Sequence, residues 1–221
     1  MMITSATNQE VVDFARTLIV SLGGAKKSIS GTALSQLHNS YTASNLSQCI
    51  GEIKKLCGLG LTLRVCYLKN HPSNESVQRL ARNSLRQIGI QAISNEAFAG
   101  HDFRDSVAFI VSPGYFPIYG TSDFNKLKIP LFIFMKSTGI SMETFVYAVA
   151  HELSHIILYA LNHPLRNNEV AVDLTAMILG FHDIIRIGRK VGNETYGYFS
   201  SDNQFELAYN EVRKLTQIIY L

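Results

Sequence analysis

Ala150-His151-Glu152-Leu153-Ser154-His155 lies inside an apolar run that spans residues 145–161. Two histidines four residues apart, with a glutamate directly after the first, form the H-E-x-x-H pattern of a helical zinc site. On an α-helix, positions i and i+4 share a face, so both imidazoles can reach one ion. Glu152 sits beside them, able to hold and deprotonate a water at that ion. Seven histidines and ten glutamates among 221 residues would produce the pattern by chance in about one such chain in a hundred. An accidental match would also leave two histidines and a glutamate desolvated in an apolar segment with no return.

The flanks support a helix there. Ser141 is a good N-cap, and Asn162-His163-Pro164 opposes continuation beyond Leu161. Before the helix, residues 129–135 form an apolar run, and Pro130 at its start predicts an edge strand. A shorter run, 106–111, precedes it, and the Gly-, Pro- and aromatic-rich stretch 115–125 reads as a loop. Farther upstream, Thr7-Asn8-Gln9-Glu10 is a capping box that opens a helix ending at Gly23-Gly24. Helices follow over 32–40 and 44–56, then a strand over 61–68. A turn at 70–74 leads into an amphipathic helix over 75–88.

Downstream, Asn168 caps a predicted helix over 169–187, closed by Gly188 and Gly192. Residues 196–199 form a loop, and Ser201-Asp202-Asn203-Gln204 opens a final helix reaching about residue 220. No internal repeat, low-complexity segment or Gly/Ser linker breaks the chain. It reads as one α+β domain: a helical part over about 1–60, sheet and motif helices over about 61–187, and a C-terminal helix over about 201–220.

Composition sets outer bounds. At 47% hydrophobic and 17% charged, the chain suits a folded globular protein and argues against extended disorder. A formal charge of +3, with no long basic block, gives no sign of a nucleic-acid partner. The run 145–161 falls short of about 18 uninterrupted apolar residues and carries three ionisable groups, so a buried helix is expected rather than a membrane span. Cys49, Cys57 and Cys66 match neither a C-x-x-C motif nor a disulfide framework, and read as small buried apolar residues. With no basic-then-apolar N-terminal segment, the expectation is a soluble, reduced, cytoplasmic protein.

A catalytic zinc site needs a third protein ligand and an open position. Glu169 is the best donor, at the start of the helix after the motif. With Asp173 it forms an i, i+4 pair of carboxylates on an otherwise apolar helix. Glu169 would ligate directly, and Asp173 would accept the Nδ1–H of a ligand histidine, most readily His151. His163 is the alternative ligand. It lies eight residues after His155, outside the H-E-x-x-H-x-x-G-x-x-H spacing, and suits a helix C-terminus instead.

His151-Glu152-x-x-His155 followed by Asn168-Glu169-x-x-x-Asp173 resembles the gluzincin branch of the zincin metallopeptidases, over about residues 129–181. The resemblance implies a zincin-like fold, a small mixed sheet with an edge strand beside the H-E-x-x-H helix and further helices packed on it. It also implies zinc on His151, His155 and Glu169, with Glu152 activating water and Asp173 supporting a histidine. Only 13 residues separate His155 from Glu169, a compactness that resembles the small intracellular metallopeptidases that cleave phage-type repressors. Residues 1–128 carry no such resemblance.

The implied activity is metal-assisted hydrolysis of peptide bonds, with Glu152 as general base. An oxyanion donor would come from downstream, with Tyr196, Tyr198 and His182 as candidates. The expected cofactor is Zn2+ and the expected partner a peptide or protein substrate, with neither nucleic acid nor membrane; nothing in the residues sets an oligomeric state. The alternative is a non-catalytic or latent metal-binding regulatory protein with a structural zinc site, which four protein ligands including both His163 and Glu169 would favour.

Overall fold

The computed structural model describes residues 6–68, 79, 82–83, 86, 107–111, 115–134, 139–192 and 194–218, and is α+β. The helix expected over 75–88 lies almost wholly outside the described residues. The chain divides into two compact units, one spanning Gly58–Gly139 and the other Met2–Cys57 with Ile140–Leu221. The N-terminal helices therefore share a unit with the motif helices, and the sheet belongs to the other.

In the unit Gly58–Gly139, β1 (Thr62–Leu68), β2 (Ala108–Ile110) and β3 (Lys128–Phe134) form a mixed sheet in the order β1-β3-β2. β1 runs parallel to β3 from Thr62↔Lys128 to Leu68↔Phe134, and β2 is antiparallel to it. β3 is thus central, which corrects the edge-strand expectation. Its residues 129–134 are all buried, the near-continuous apolar run of a strand covered on both faces. Pro130 is tolerated for a local reason. Phe134 N–H donates to Val107 O (2.9 Å) on the β2 side, and nitrogens alternate along a strand, so the Pro130 nitrogen faces the same side. There it lies one register step beyond Ile110, where β2 has ended. No ladder bond is lost.

Phe109 and Phe132 are register partners, and their rings stack at 4.6 Å. The stretch expected to be a plain loop contains the short helix α4 (Ser122–Asn125), in which Thr121 Oγ1 accepts from Phe124 N–H and Phe124 is buried.

The other unit is helical. α1 (Asn8–Ser21) begins with the expected capping box, Thr7 and Glu10 each bonding the other's backbone. α2 (Gly31–Thr42) and α3 (Leu46–Leu56) follow. The motif helix is α5 (Met142–Ala160), capped by Ser141 Oγ on Thr144 N–H (3.1 Å). Val146, Leu153, Ile156 and Ile157 are each 1% exposed or less. At roughly 1.5–3 kcal/mol per buried aliphatic side chain, this packing outweighs the desolvation of the polar groups that α5 also buries.

α5 ends in a Schellman motif. Asn162 takes a left-handed φ of 48°, His163 N–H donates to Leu158 O (2.9 Å), and Asn162 N–H donates to Tyr159 O (3.0 Å).

The helix expected over 169–187 is broken into α6 (Glu169–Ala176), a π-helical turn (Met177–Phe181) and α7 (His182–Gly188). A segment from the N-terminal half causes the break. Lys26 N–H donates to Ile178 O (2.8 Å) and Ile29 N–H to Gly180 O (3.0 Å), drawing both carbonyls out of the helix. Gly180 has φ 102°, and a Cβ there would lie 2.6 Å from Lys27 O, so only glycine fits. A two-stranded hairpin, β4 (Lys190–Val191) with β5 (Glu194–Thr195), leads to α8 (Asp202–Ile218). α5 packs against α2, α3, α6 and α7, while α1 packs against α6 and α8.

Cys49 and Cys57 are buried with free thiols that burial pushes up to about 12, while Cys66 is half-buried and also free. Among the described residues, no helix is long and apolar enough to cross a membrane.

Candidate metal centre

α5 sets His151 and His155 one turn apart, with ring centroids 5.0 Å apart and planes nearly perpendicular. α6 brings Glu169 to them from its first turn, where Asn168 Oδ1 caps the helix by accepting from Ala171 N–H (3.1 Å). Glu169 Oε2 stands 3.2 Å from His151 Nε2 and 3.4 Å from His155 Nε2. Among the described residues these three side chains form the group able to hold a metal ion, with ligand atoms all within 4.8 Å of one another.

The group passes a test of fit. Glu169 Oε2 is buried and makes no well-aligned hydrogen bond, with only the two imidazole nitrogens beside it, an arrangement that a shared cation would satisfy. A tetrahedral ion with arms of about 2.0–2.1 Å has ligand-to-ligand edges of about 3.3–3.4 Å. The two carboxylate-to-imidazole separations lie close to that edge, and all three ligand atoms fall within 4.8 Å of one another. Two imidazoles and one carboxylate are a donor set suited to zinc.

The short connection from α5 to α6 is held by its own hydrogen bonds. Tyr159 Oη donates to Asn167 Oδ1 (2.7 Å), Leu165 N–H donates to His163 Nδ1 (3.2 Å), and Arg166 donates to both Asn162 Oδ1 and His163 O. His163 is therefore a buried member of this linker and is not in the metal-binding group. Burial holds its ring below the ordinary histidine range.

Asp173, one turn after Glu169 and fully buried, collects three contacts. Its Oδ1 is 2.8 Å from His151 Nδ1 and accepts from Tyr147 Oη at 2.8 Å, and its Oδ2 accepts from Tyr198 N–H at 3.1 Å. An ionised carboxylate only accepts, so His151 Nδ1 carries a proton and its Nε2 is left to face Glu169. This is the orientation expected of a supported histidine ligand.

The field of the site favours positive charge. Burial opposes a proton on His151, but the carboxylates of Asp173 and Glu169 outweigh it and hold the ring well above the ordinary histidine range. Burial would raise Glu169, yet the two imidazoles hold it below the usual carboxylate range. The same carboxylates that favour a proton on this ring favour a cation beside it. Glu152, half-buried beside His151, adds its negative charge to both His151 and Tyr198.

Comparison with protein-family models, curated proteins and solved structures yields no match. The functional reading accordingly stands on this geometry.

The three candidate oxyanion donors part company. The Tyr198 ring stacks on His151 at 5.3 Å with planes 20° apart, and the residue is 45% exposed. Burial, with Glu169, Glu152 and Asp173 nearby, raises its phenol above the ordinary value, so it stays protonated and able to donate. Tyr196 donates its N–H to Arg189 O beside the β4–β5 hairpin. His182 is buried at the start of α7, with Nδ1 3.2 Å from Met177 O and its ring edge-on to Tyr209. Burial lowers its proton affinity.

Two contributors escaped the sequence reading. Tyr147 lies four residues before His151 on the same helical face, a spacing that could have flagged it. Gly197 has φ 104°, and a Cβ there would collide with Tyr147 Oη. The Tyr-Gly-Tyr order hinted at a turn, but not at what the turn must approach.

Proposed function

We propose that the chain is a zinc-dependent metallopeptidase with a zincin-like centre, His151, His155 and Glu169 holding the ion and Glu152 acting as general base. The observation that carries this reading is the buried Glu169 Oε2, which makes no well-aligned hydrogen bond and faces both histidine Nε2 atoms at 3.2 and 3.4 Å. An ion bound there supplies a Lewis acid that acidifies a water and polarises a scissile carbonyl. Glu152 takes the proton from the attacking water and passes it to the leaving amine. Asp173 keeps His151 in the tautomer that presents Nε2. The Tyr198 hydroxyl, kept protonated on a ring stacked against His151, is the donor offered for charge developing on the carbonyl oxygen.

His163 lies outside the metal-binding group, so the four-ligand arrangement that would favour a structural site has no fourth member among the described residues. Substrate alignment along β3 is not part of the proposal, because β3 is paired on both sides. Free thiols at Cys49, Cys57 and Cys66 are in keeping with action in a reducing compartment such as the cytoplasm.

The test compares the wild type with Glu152→Gln on casein and a peptide library. The proposal expects wild-type cleavage, and in the variant full metal content with cleavage reduced about a hundredfold or more. Undiminished cleavage by the variant would overturn the role of Glu152. Metal uptake without any wild-type cleavage would favour the latent, regulatory reading.

A further inference from the structure

Asp173 is held from two directions. On one side Tyr147, a turn before His151 in α5, donates its hydroxyl to Oδ1 at 2.8 Å. On the other, the Tyr198 backbone N–H donates to Oδ2 at 3.1 Å. With both oxygens engaged, the carboxylate plane cannot rotate without breaking a buried hydrogen bond. His151 is in turn confined: its Nδ1 is on Asp173 Oδ1, and its ring face lies under the Tyr198 ring.

The turn that accomplishes this depends on Gly197. At φ 104° its backbone closes onto the Tyr147 hydroxyl, and a Cβ would also lie 3.2 Å from Asp173 Oδ2. Any side chain at this position would push the Tyr198 N–H and ring away together. Asp173, Tyr147 and the turn come from three separate parts of the chain, yet every contact converges on the orientation of one imidazole.

We propose that Tyr147 and the Gly197–Tyr198 turn are positioning residues that act through Asp173 and the His151 ring to fix Nε2 for metal binding; this rests on the metal-centre reading above. Tyr198 exerts this effect through its backbone N–H and ring face, whatever further part its hydroxyl takes in chemistry. The simpler possibility is that Tyr147 and Tyr198 only satisfy a buried carboxylate. That role would appear as stability of the metal-free protein and would leave metal binding untouched.

The experiment titrates the full-length wild type and the Tyr147→Phe, Gly197→Ala and Tyr198→Phe variants with Zn2+ and Co2+ against a chromophoric chelator. It also records the visible Co2+ bands and the urea unfolding of the metal-free proteins. The expected result is binding about tenfold weaker in Tyr147→Phe and Gly197→Ala, with altered Co2+ bands, the scale set by losing a partner of a ligand. Tyr198→Phe, which keeps both ring and N–H, should match the wild type in affinity and spectrum. Tyr147→Phe removes a single oxygen, so the test stands even if Gly197→Ala fails to fold. Wild-type affinity and spectrum in Tyr147→Phe would overturn the proposal, whatever happens to stability. Weakened binding in Tyr198→Phe would overturn the assignment to ring and backbone. A wild type that takes up neither ion would overturn the metal-centre reading as well, whereas wild-type binding with unaltered variants defeats the positioning role alone.

Discussion

His151 and Asp173, 22 residues apart in the chain, meet through a 2.8 Å contact between Nδ1 and Oδ1. That contact sets which nitrogen of His151 faces Glu169, and it makes Asp173 sensitive to the smallest change. In Asp173→Asn one carboxylate oxygen becomes an amide that donates, and it must then face either the Tyr198 N–H or the pair formed by His151 and Tyr147. Zinc affinity should fall by about 10–100-fold. The metal-free protein should lose about 1–3 kcal/mol in urea unfolding, the scale of one buried donor left unpaired. Unchanged zinc affinity would show that His151 needs no such support.

Acid should destabilise the fold partly through His163. Burial holds this ring below the ordinary histidine value of about 6.5, and its Nδ1 accepts from Leu165 N–H, which a protonated ring could not do. The folded state therefore binds the proton less readily than the unfolded chain. The stability contributed by neutral His163 is present above about pH 6.5 and is lost as pH falls through the folded value. His163→Asn can keep an acceptor near Nδ1 but does not titrate. Urea unfolding at about pH 7 and about pH 5.5 should show a smaller loss in the variant than in the wild type. An equal loss in both would remove His163 from the acid response.

Gly180 should be intolerant of a side chain. Its φ is 102°, and a Cβ there would stand only 2.6 Å from Lys27 O, which leaves no room for a methyl group. Gly180→Ala should destabilise the protein by about 2–3 kcal/mol in urea unfolding. A change of a few tenths would mean that the segment carrying Lys26 and Ile29 can move aside without consequence.

Features encoded over a few residues were legible in the sequence. The Thr7–Glu10 capping box, the Ser141 cap and the Asn168 cap are all present, and each depends on a side chain reaching a backbone group three residues away. The same local logic placed His151, His155, Glu169 and Asp173, because helical spacing of four fixes a shared face. What failed depended on distant partners. The π-helical turn exists because Lys26 and Ile29 draw on the carbonyls of Ile178 and Gly180, roughly 150 residues away in sequence. Pro130 was a sound edge signal, overridden because β2 stops one register step short of it. Tyr147 shares the helical face of His151, but only the fold shows its hydroxyl on Asp173.

The central claim is that His151, His155 and Glu169 bind one zinc ion, and zinc-to-protein stoichiometry tests it most directly. Measured after zinc supplementation and removal of loose metal, the wild type and His163→Ala should each retain about one equivalent, while His151→Ala and Glu169→Ala should retain almost none. Wild-type protein without stoichiometric zinc would contradict the account, as would metal lost in His163→Ala but kept in Glu169→Ala.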